Sequence, residues 1–366
     1  MRVIVTGGGT GGHIYPALAI ADKFKEMDPE TEILYVGNEE GIEKDVVPKT
    51  GYPMELVDAR WLDKSSPWQL IKTGARVAKG VLEANREMRK FKPDVVIGTG
   101  GYVCFPVIIA GKRFGARTFL HEQNAFPGLA NRTLEKYVNK VFLGFSDAAK
   151  YFKDSSKMVE AGNPVRKSFF SLNKTEARKK LGFPQDDFIV FSFGGSLGAE
   201  KINEVAFELM QVVNGHEKMR MVFGTGKWYY DSIIKKAEER GIVLKDNILI
   251  KDYIDDMENY LAASDLIISR AGALSVAETT VCGRACILIP SPNVTGNHQY
   301  YNAKAVADRG GAILIEEKDL TSEGLIKEVM HLKNNPEIAE KMGRAARACA
   351  PMKALDIIYD EIQAAL

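Results

Sequence analysis

The chain has 366 residues, more than one hydrophobic core usually serves, so two domains are expected. Its composition, 45% hydrophobic and 27% charged, is that of an ordinary globular protein, and a net charge of +1 argues against a general nucleic-acid binder, which needs a strong basic excess. The four cysteines (Cys104, Cys282, Cys286, Cys349) show neither metal spacing nor a disulfide framework. With no cleavable signal and no apolar run near the ~20 residues of a spanning helix, the expectation is an intracellular protein that does not cross a membrane.

The chain opens with "VIVTGGGTGGHIYPALAI". Val3 to Val5 form a short β-branched run that reads as a buried parallel strand, and Gly7 to Gly12 make a turn that suits residues without a Cβ. Pro16 fits a first helical position, Ala17, Ile20, Ala21 and Phe24 recur at helical spacing, and Asp28-Pro29 ends the run. The loop contains Gly7-x-Gly9-x-x-Gly12, the spacing of a dinucleotide-binding turn whose helix N-terminus would hold a phosphate or pyrophosphate. That fingerprint also wants an acid at the end of the second strand, Ile33 to Val36, and the first acid after it, Glu39, comes late. Dinucleotide binding and a purely geometric loop both stay open on these residues.

Strand-like and helical runs alternate along the whole length, the pattern of a parallel sheet, and the alternation restarts in mid-chain. "DDFIVFSFGGSLGAEKINE" (186–204) is again strand, glycine loop and helix, and "EAGNPVRKSF" (160–169) between the halves carries turn residues Gly162 and Pro164. The expected organisation is an α/β protein of two Rossmann-like domains facing a cleft, residues 1–163 and 164–350. The segment 351–366 is expected to be a final helix that can return to the first domain. In such sheets ligands bind outside the carboxyl ends of the strands. There the sequence collects Thr6 to His13, Thr99 to Tyr102, and His121 to Asn124 in the first half. In the second half it collects Ser192 to Ser196, Ser269 to Gly272, and Pro290 to Gln299.

The segments "GGTGGHIYPALAIA", "GTGGYVCFP", "HEQNAFPGLANR", "GNPVR", "GGSLGA", "SRAGALSVAE" and "HQYYNA" follow one another from Met1 to about Asn302. Any one of them is unspecific. The seven in register resemble the MurG family, transferases that move N-acetylglucosamine from UDP onto the lipid-linked muramyl-peptide intermediate of peptidoglycan synthesis. The resemblance implies the two-domain GT-B fold, an inverting transfer without a cofactor, and substrates UDP-N-acetylglucosamine and lipid I. It also implies residence on the cytoplasmic face of the cell membrane as a peripheral protein.

In the first half the resemblance matches Thr10, Gly11 and Gly12 to donor contacts, and their N–H groups suit an anionic diphosphate. His13, placed just before a helix N-terminus, suits a neutral ring able to take a proton from the attacking hydroxyl; otherwise it only hydrogen-bonds the loop. Glu122 is the rival base, and Asn124 matches a sugar-contacting asparagine, although "HEQN" also reads as a polar cap on a helix beginning near Pro127. Tyr102 either contacts the acceptor or packs on the glycines.

In the second half, Ser275-x-x-Glu278 is a capping-box pattern, whereas the resemblance matches Glu278 to the carboxylate that binds the ribose hydroxyls of UDP. Ala273 and Leu274 would place N–H groups at the phosphate end, and Ser275 stands where the family often has threonine. Ile254 matches a uracil contact, Ser196 and Arg166 match diphosphate contacts, and Gln299 matches a sugar contact. Arg166 otherwise reads as a surface charge at a hinge. Metal-dependent sugar transferases commonly hold their cation with Asp-x-Asp, and this chain contains no such triplet. No metal is expected, and the leaving diphosphate would be met by helix N-termini, loop N–H groups and Arg166.

Residues 59–92 combine Trp61 and Trp68 with a helical run rich in lysine and arginine, from Lys72, Arg76 and Lys79 to Arg86 and Arg89. This fits adsorption to an anionic membrane surface or, alternatively, the solvated outer helix of a Rossmann domain. Two other functions share these features: a UDP-N-acetylglucosamine 2-epimerase, and a non-catalytic UDP-sugar-binding protein of the same fold.

Overall fold

The computed structural model describes the backbone of residues 1–59 and 67–366, with the side chains of all these except 67–75 and Thr295. Trp61 and the side chains of Trp68 and Lys72 therefore lie outside the described residues. The chain divides into two compact units: Met1–Val165 with Lys353–Leu366, and Arg166–Met352.

The first unit is built on a seven-stranded sheet. In chain order its strands are β1 (Arg2–Thr6), β2 (Glu32–Asn38), β3 (Met54–Val57), β4 (Val95–Gly98), β5 (Arg117–Glu122), β6 (Lys140–Leu143) and β7 (Met158–Glu160). They lie in the order β3-β2-β1-β4-β5-β6-β7, and every pairing is parallel. The apolar runs that predicted strands are buried on both faces, since helices cover both, and Ile4 stands between Leu34 and Val96 in register. The last helix, Ala354–Gln363, belongs to this unit. Ile358 and Ile362 enter the core with Val3, Val5 and Phe24, Tyr359 meets Phe24 edge-on at 5.1 Å, and Asp356 accepts from Lys23 at 2.5 Å.

The second unit repeats the plan with six parallel strands: β8 (Phe188–Phe193), β9 (Met219–Gly224), β10 (Ile248–Lys251), β11 (Leu266–Ser269), β12 (Ala285–Leu288) and β13 (Ile313–Leu314). Their order is β10-β9-β8-β11-β12-β13. Both sheets thus reverse winding direction once, between β1 and β4 and between β8 and β11. A crevice opens outside the carboxyl ends at such a point, where a doubly wound sheet binds its ligand.

Candidate functional site

At the first switch point the helix after β1 runs Gly11–Met27, so Pro16 is inside it and not at its start. The Thr10 carbonyl accepts from both His13 and Ile14, at 3.1 and 3.2 Å, and this draws the first turn back into the glycine run. His13 consequently sits within the first turn. The N–H groups of Gly11 and Gly12 are first-turn donors without an intrahelical acceptor, the feature that makes a helix start an anion site.

The loop after β4 is interlocked with this turn. Thr99 Oγ1 donates to the His13 carbonyl at 2.7 Å, and Gly8 N–H donates to the Gly100 carbonyl at 3.2 Å. Gly100 and Gly101 have φ of +119° and +86°, and there is no room for a side chain at either. A Cβ on Gly100 would stand 2.7 Å from His13 Cδ2, and one on Gly101 would stand 2.4 Å from the Gly8 carbonyl oxygen. His13 Nδ1 lies 2.9 Å from the Gly8 carbonyl oxygen. A carbonyl only accepts, so Nδ1 carries the proton and Nε2 of the neutral ring keeps its lone pair. Tyr102 follows on the same loop, about half exposed.

Glu122, at the end of β5, is 1% exposed. Its carboxylate accepts from Asn124 N–H and Nδ2 (3.0 and 3.2 Å), Gly128 N–H (3.0 Å) and Asn131 Nδ2 (2.9 Å). A carboxylate saturated by four donors and shut from solvent organises the turn before the helix Leu129–Leu134. The N–H it takes from Gly128 is that of the N-cap and not of a first-turn residue, so Glu122 ties down the loop ahead of the helix rather than capping the helix itself. Asn124 stands on that turn, partly buried.

One residue of the site went unnoticed in the sequence. Glu43 is fully buried, and its carboxylate accepts from Gly9 N–H at 3.1 Å and Asn38 N–H at 3.0 Å. Nothing in "NEEGIEKDV" distinguishes it from its neighbouring acids, since only the folded chain brings it under the glycine loop.

At the second switch point, the helix after β11 is Ala273–Cys282 with Gly272 as N-cap. Ser275 is therefore the third residue of the helix and Glu278 the sixth, which rules out the capping-box geometry for this pair. Ala273, Leu274 and Ser275 are instead the first-turn donors at the carboxyl edge of the sheet. Glu278 accepts no hydrogen bond from any described residue. Its pKa is pushed up from 4.5 to about 7, above all by burial; Arg166 opposes the shift and Glu258 adds to it. Arg166 lies 3.3 Å from the Glu258 carboxylate and 5.3 Å above the Phe169 ring, with its side chain 56% exposed. Ile254 is buried against Gly224 at the end of β9, and Ser196 is exposed in the loop after β8.

A cavity of about 620 Å³ opens at the carboxyl ends of β8, β11 and β12, lined among others by Gly194, Gly198, Arg270, Ser291, Gln299 and Glu317. Gln299 Oε1 accepts from Ser291 N–H at 2.9 Å, and Arg270 is ion-paired with Glu317. Of the predicted contacts this cavity takes in Gln299 only. Arg166, Ser196, Ile254 and Glu278 stand outside its lining. Among the described residues no cluster of acids, histidines and cysteines has the makings of a metal site.

Two family models match the chain: the N-terminal domain of glycosyltransferase family 28 over residues 3–143, and the C-terminal domain of the same family over residues 189–358. The chain belongs to glycosyltransferase family 28. It is 42% identical, over 100% of its length and 99% of the relative's, to the UDP-N-acetylglucosamine–N-acetylmuramyl-(pentapeptide) pyrophosphoryl-undecaprenol N-acetylglucosamine transferase of Alkaliphilus oremlandii. The crystal structure of Acinetobacter baumannii MurG superposes with a TM-score of 0.78 at 25% identity, covering 99% of both chains. Within the family the chain falls in the MurG group. The UDP-GlcNAc 2-epimerase of Neisseria meningitidis, solved bound to UDP-GlcNAc, covers 100% of both chains with a TM-score of 0.71 but only 14% identity, a likeness of fold alone.

Proposed function

We propose that the chain transfers N-acetylglucosamine from UDP-N-acetylglucosamine to the muramyl hydroxyl of lipid I, the undecaprenyl-linked muramyl-peptide, with inversion at the anomeric carbon. The observation that carries this reading is the 42% identity to a transferase of that name across the full length of both chains. The 2-epimerase alternative shares the fold and little of the sequence.

In this reading Nε2 of His13 takes the proton of the attacking hydroxyl, and Tyr102, about half exposed on the loop after β4, meets the acceptor. Thr10, Gly11 and Gly12 offer donors to a diphosphate. In the second unit Glu278 accepts from the ribose diol and the backbone of Ile254 meets uracil. Asn124 and Gln299 address the sugar. Leaving-group charge is met by the N–H groups of Ala273, Leu274 and Ser275, by Ser196 and by the Arg166 guanidinium, a forked, permanently charged donor. UDP release from UDP-N-acetylglucosamine, followed with and without the lipid-linked acceptor, tests the whole reading. Release that depends on the acceptor is expected. Acceptor-independent 2-epimerisation, or binding with no turnover under either condition, would overturn it.

No helix of the described residues is long and apolar enough to cross a membrane. We further propose adsorption to an anionic bilayer through the helix Pro67–Phe91. Ala84 and Met88 bury one side of it in the core, whereas Leu82 is 71% exposed among exposed Lys79, Arg86, Arg89 and Lys90. Lys79 is paired with Glu83 and Asp58, and Lys90 with Glu87; Arg86 and Arg89 make no ion pair with any described residue. Replacing Leu82, Arg86 and Arg89 by glutamate is expected to abolish co-sedimentation with anionic vesicles, since each cation near such a surface contributes ~1 kcal/mol. Affinity for UDP-N-acetylglucosamine should stay unchanged. Undiminished vesicle binding would leave this helix a solvated face.

A further inference from the structure

We infer that Glu43 is a positioning residue that sets the tautomer of His13 through the Gly8–Gly9 peptide. The inference rests on the reading of His13 as the base. The carboxylate of Glu43 is fully buried, with no cation paired to it among the described residues, so its two N–H contacts must offset the loss of water. Room for it is made by three glycines. A Cβ on Gly8 or Gly41 would stand 2.3 or 2.0 Å from a carboxylate oxygen, and one on Gly37 would stand 2.8 Å from Glu43 Cγ.

The N–H of Gly9, which donates to Glu43, and the carbonyl of Gly8, which faces His13 Nδ1, belong to one planar peptide unit. Held at its N–H end, that unit can present only an acceptor at the other. A flipped peptide would aim its carbonyl at the buried carboxylate and its N–H at the ring. Glu43 forbids the flip, so His13 is met by an acceptor and must carry its proton on Nδ1. A charged acceptor at the N–H end also polarises the peptide and makes the Gly8 carbonyl a stronger partner. Gly100 closes the space beside the Cδ2–Nε2 edge of the ring, where even a Cβ would stand 2.7 Å from Cδ2. A carboxylate thus governs a histidine with a peptide bond between them.

In Glu43→Gln the side-chain oxygen can still accept from one N–H, but the amide NH2 then faces the other donor. The long-range 1H–15N spectrum of the full chain reads the outcome directly, with His13 among five histidines identified by its loss in His13→Gln. The parent should show one tautomer, protonated on Nδ1, and Glu43→Gln a mixture of the two. Turnover should fall about tenfold, short of the ~10⁴ that a wrong tautomer costs a triad histidine. The dissociation constant for UDP-N-acetylglucosamine should hold, and the same change in a His13→Gln background should cost nothing further. A parent-like tautomer in folded Glu43→Gln would overturn the inference, whatever happens to the rate. If Glu43→Gln does not fold, Glu43→Asp, which withdraws the charge by one methylene, is read by the same two outcomes. If His13→Gln keeps its turnover, the base reading fails, while the tautomer still tests Glu43. A slow His13→Gln beside an unchanged tautomer in Glu43→Gln removes only the inference about Glu43.

Discussion

Turnover of His13→Ala is expected to fall by about 10²–10⁴, or roughly 3–5 kcal/mol of barrier, with little change in the dissociation constant for UDP-N-acetylglucosamine. The first half of that expectation follows from the ring. Its Nδ1 is committed to the Gly8 carbonyl, and Nε2 is left with a lone pair on the carboxyl edge of β1, where the sheet's switch point opens. The second half follows because the first-turn N–H groups offered to a diphosphate are backbone groups that the substitution leaves in place. Glu122→Ala is the informative control. Its carboxylate has four donors and no exposure, so its loss should appear as a lowered melting temperature, worth a few kcal/mol of stability from the donors left unpaired. If Glu122→Ala instead melts like the parent and loses more turnover than His13→Ala, the roles swap. If both lose less than about tenfold, neither is the base.

The comparison of these two residues shows where a sequence stops informing. The strands were legible because parallel strands covered on both faces are written as unbroken apolar runs, and "VIVT" and "FIVFSF" are such runs. The loops of the site were legible because glycines and polar residues gather after those runs. Local patterns misled where a tertiary contact outweighed a propensity. Pro16 suggested a helix start, yet the Thr10 carbonyl recruits His13 and Ile14 into a turn that begins five residues earlier, at Gly11. Ser275 and Glu278 have capping-box spacing, yet the helix starts at Ala273 and moves both residues inside it. Glu43 was beyond reach for a different reason. Its function comes from burial under a loop 34 residues away in sequence, and a buried acid is spelled like an exposed one.

Affinity for UDP-N-acetylglucosamine is expected to rise about an order of magnitude between roughly pH 5.5 and 7.5, and Glu278 should account for the rise. Burial raises its pKa to about 7, so the free folded protein holds a proton that the unfolded chain surrenders near the ordinary glutamate value of 4.5. The sign for stability follows. This contribution is present in full below about pH 4.5 and is lost as the pH climbs through about 7. Binding runs against that preference. The two ribose hydroxyls donate, a carboxylate can accept from both, and a protonated carboxyl gives up one acceptor, so the nucleotide selects the ionised form and expels the proton. The sugar nucleotide is the right probe because its diphosphate, esterified at both ends, has no ionisation of its own in this range, unlike UDP. Calorimetry near pH 6.5 in two buffers of different ionisation enthalpy should therefore record net proton release. Glu278→Gln should bind weakly at every pH, with a flat profile and no proton release, while Glu278→Ala should melt close to the parent because no helix cap is lost. A parent profile that is flat across the window, with no buffer dependence, would remove Glu278 from the ribose and leave its burial unexplained.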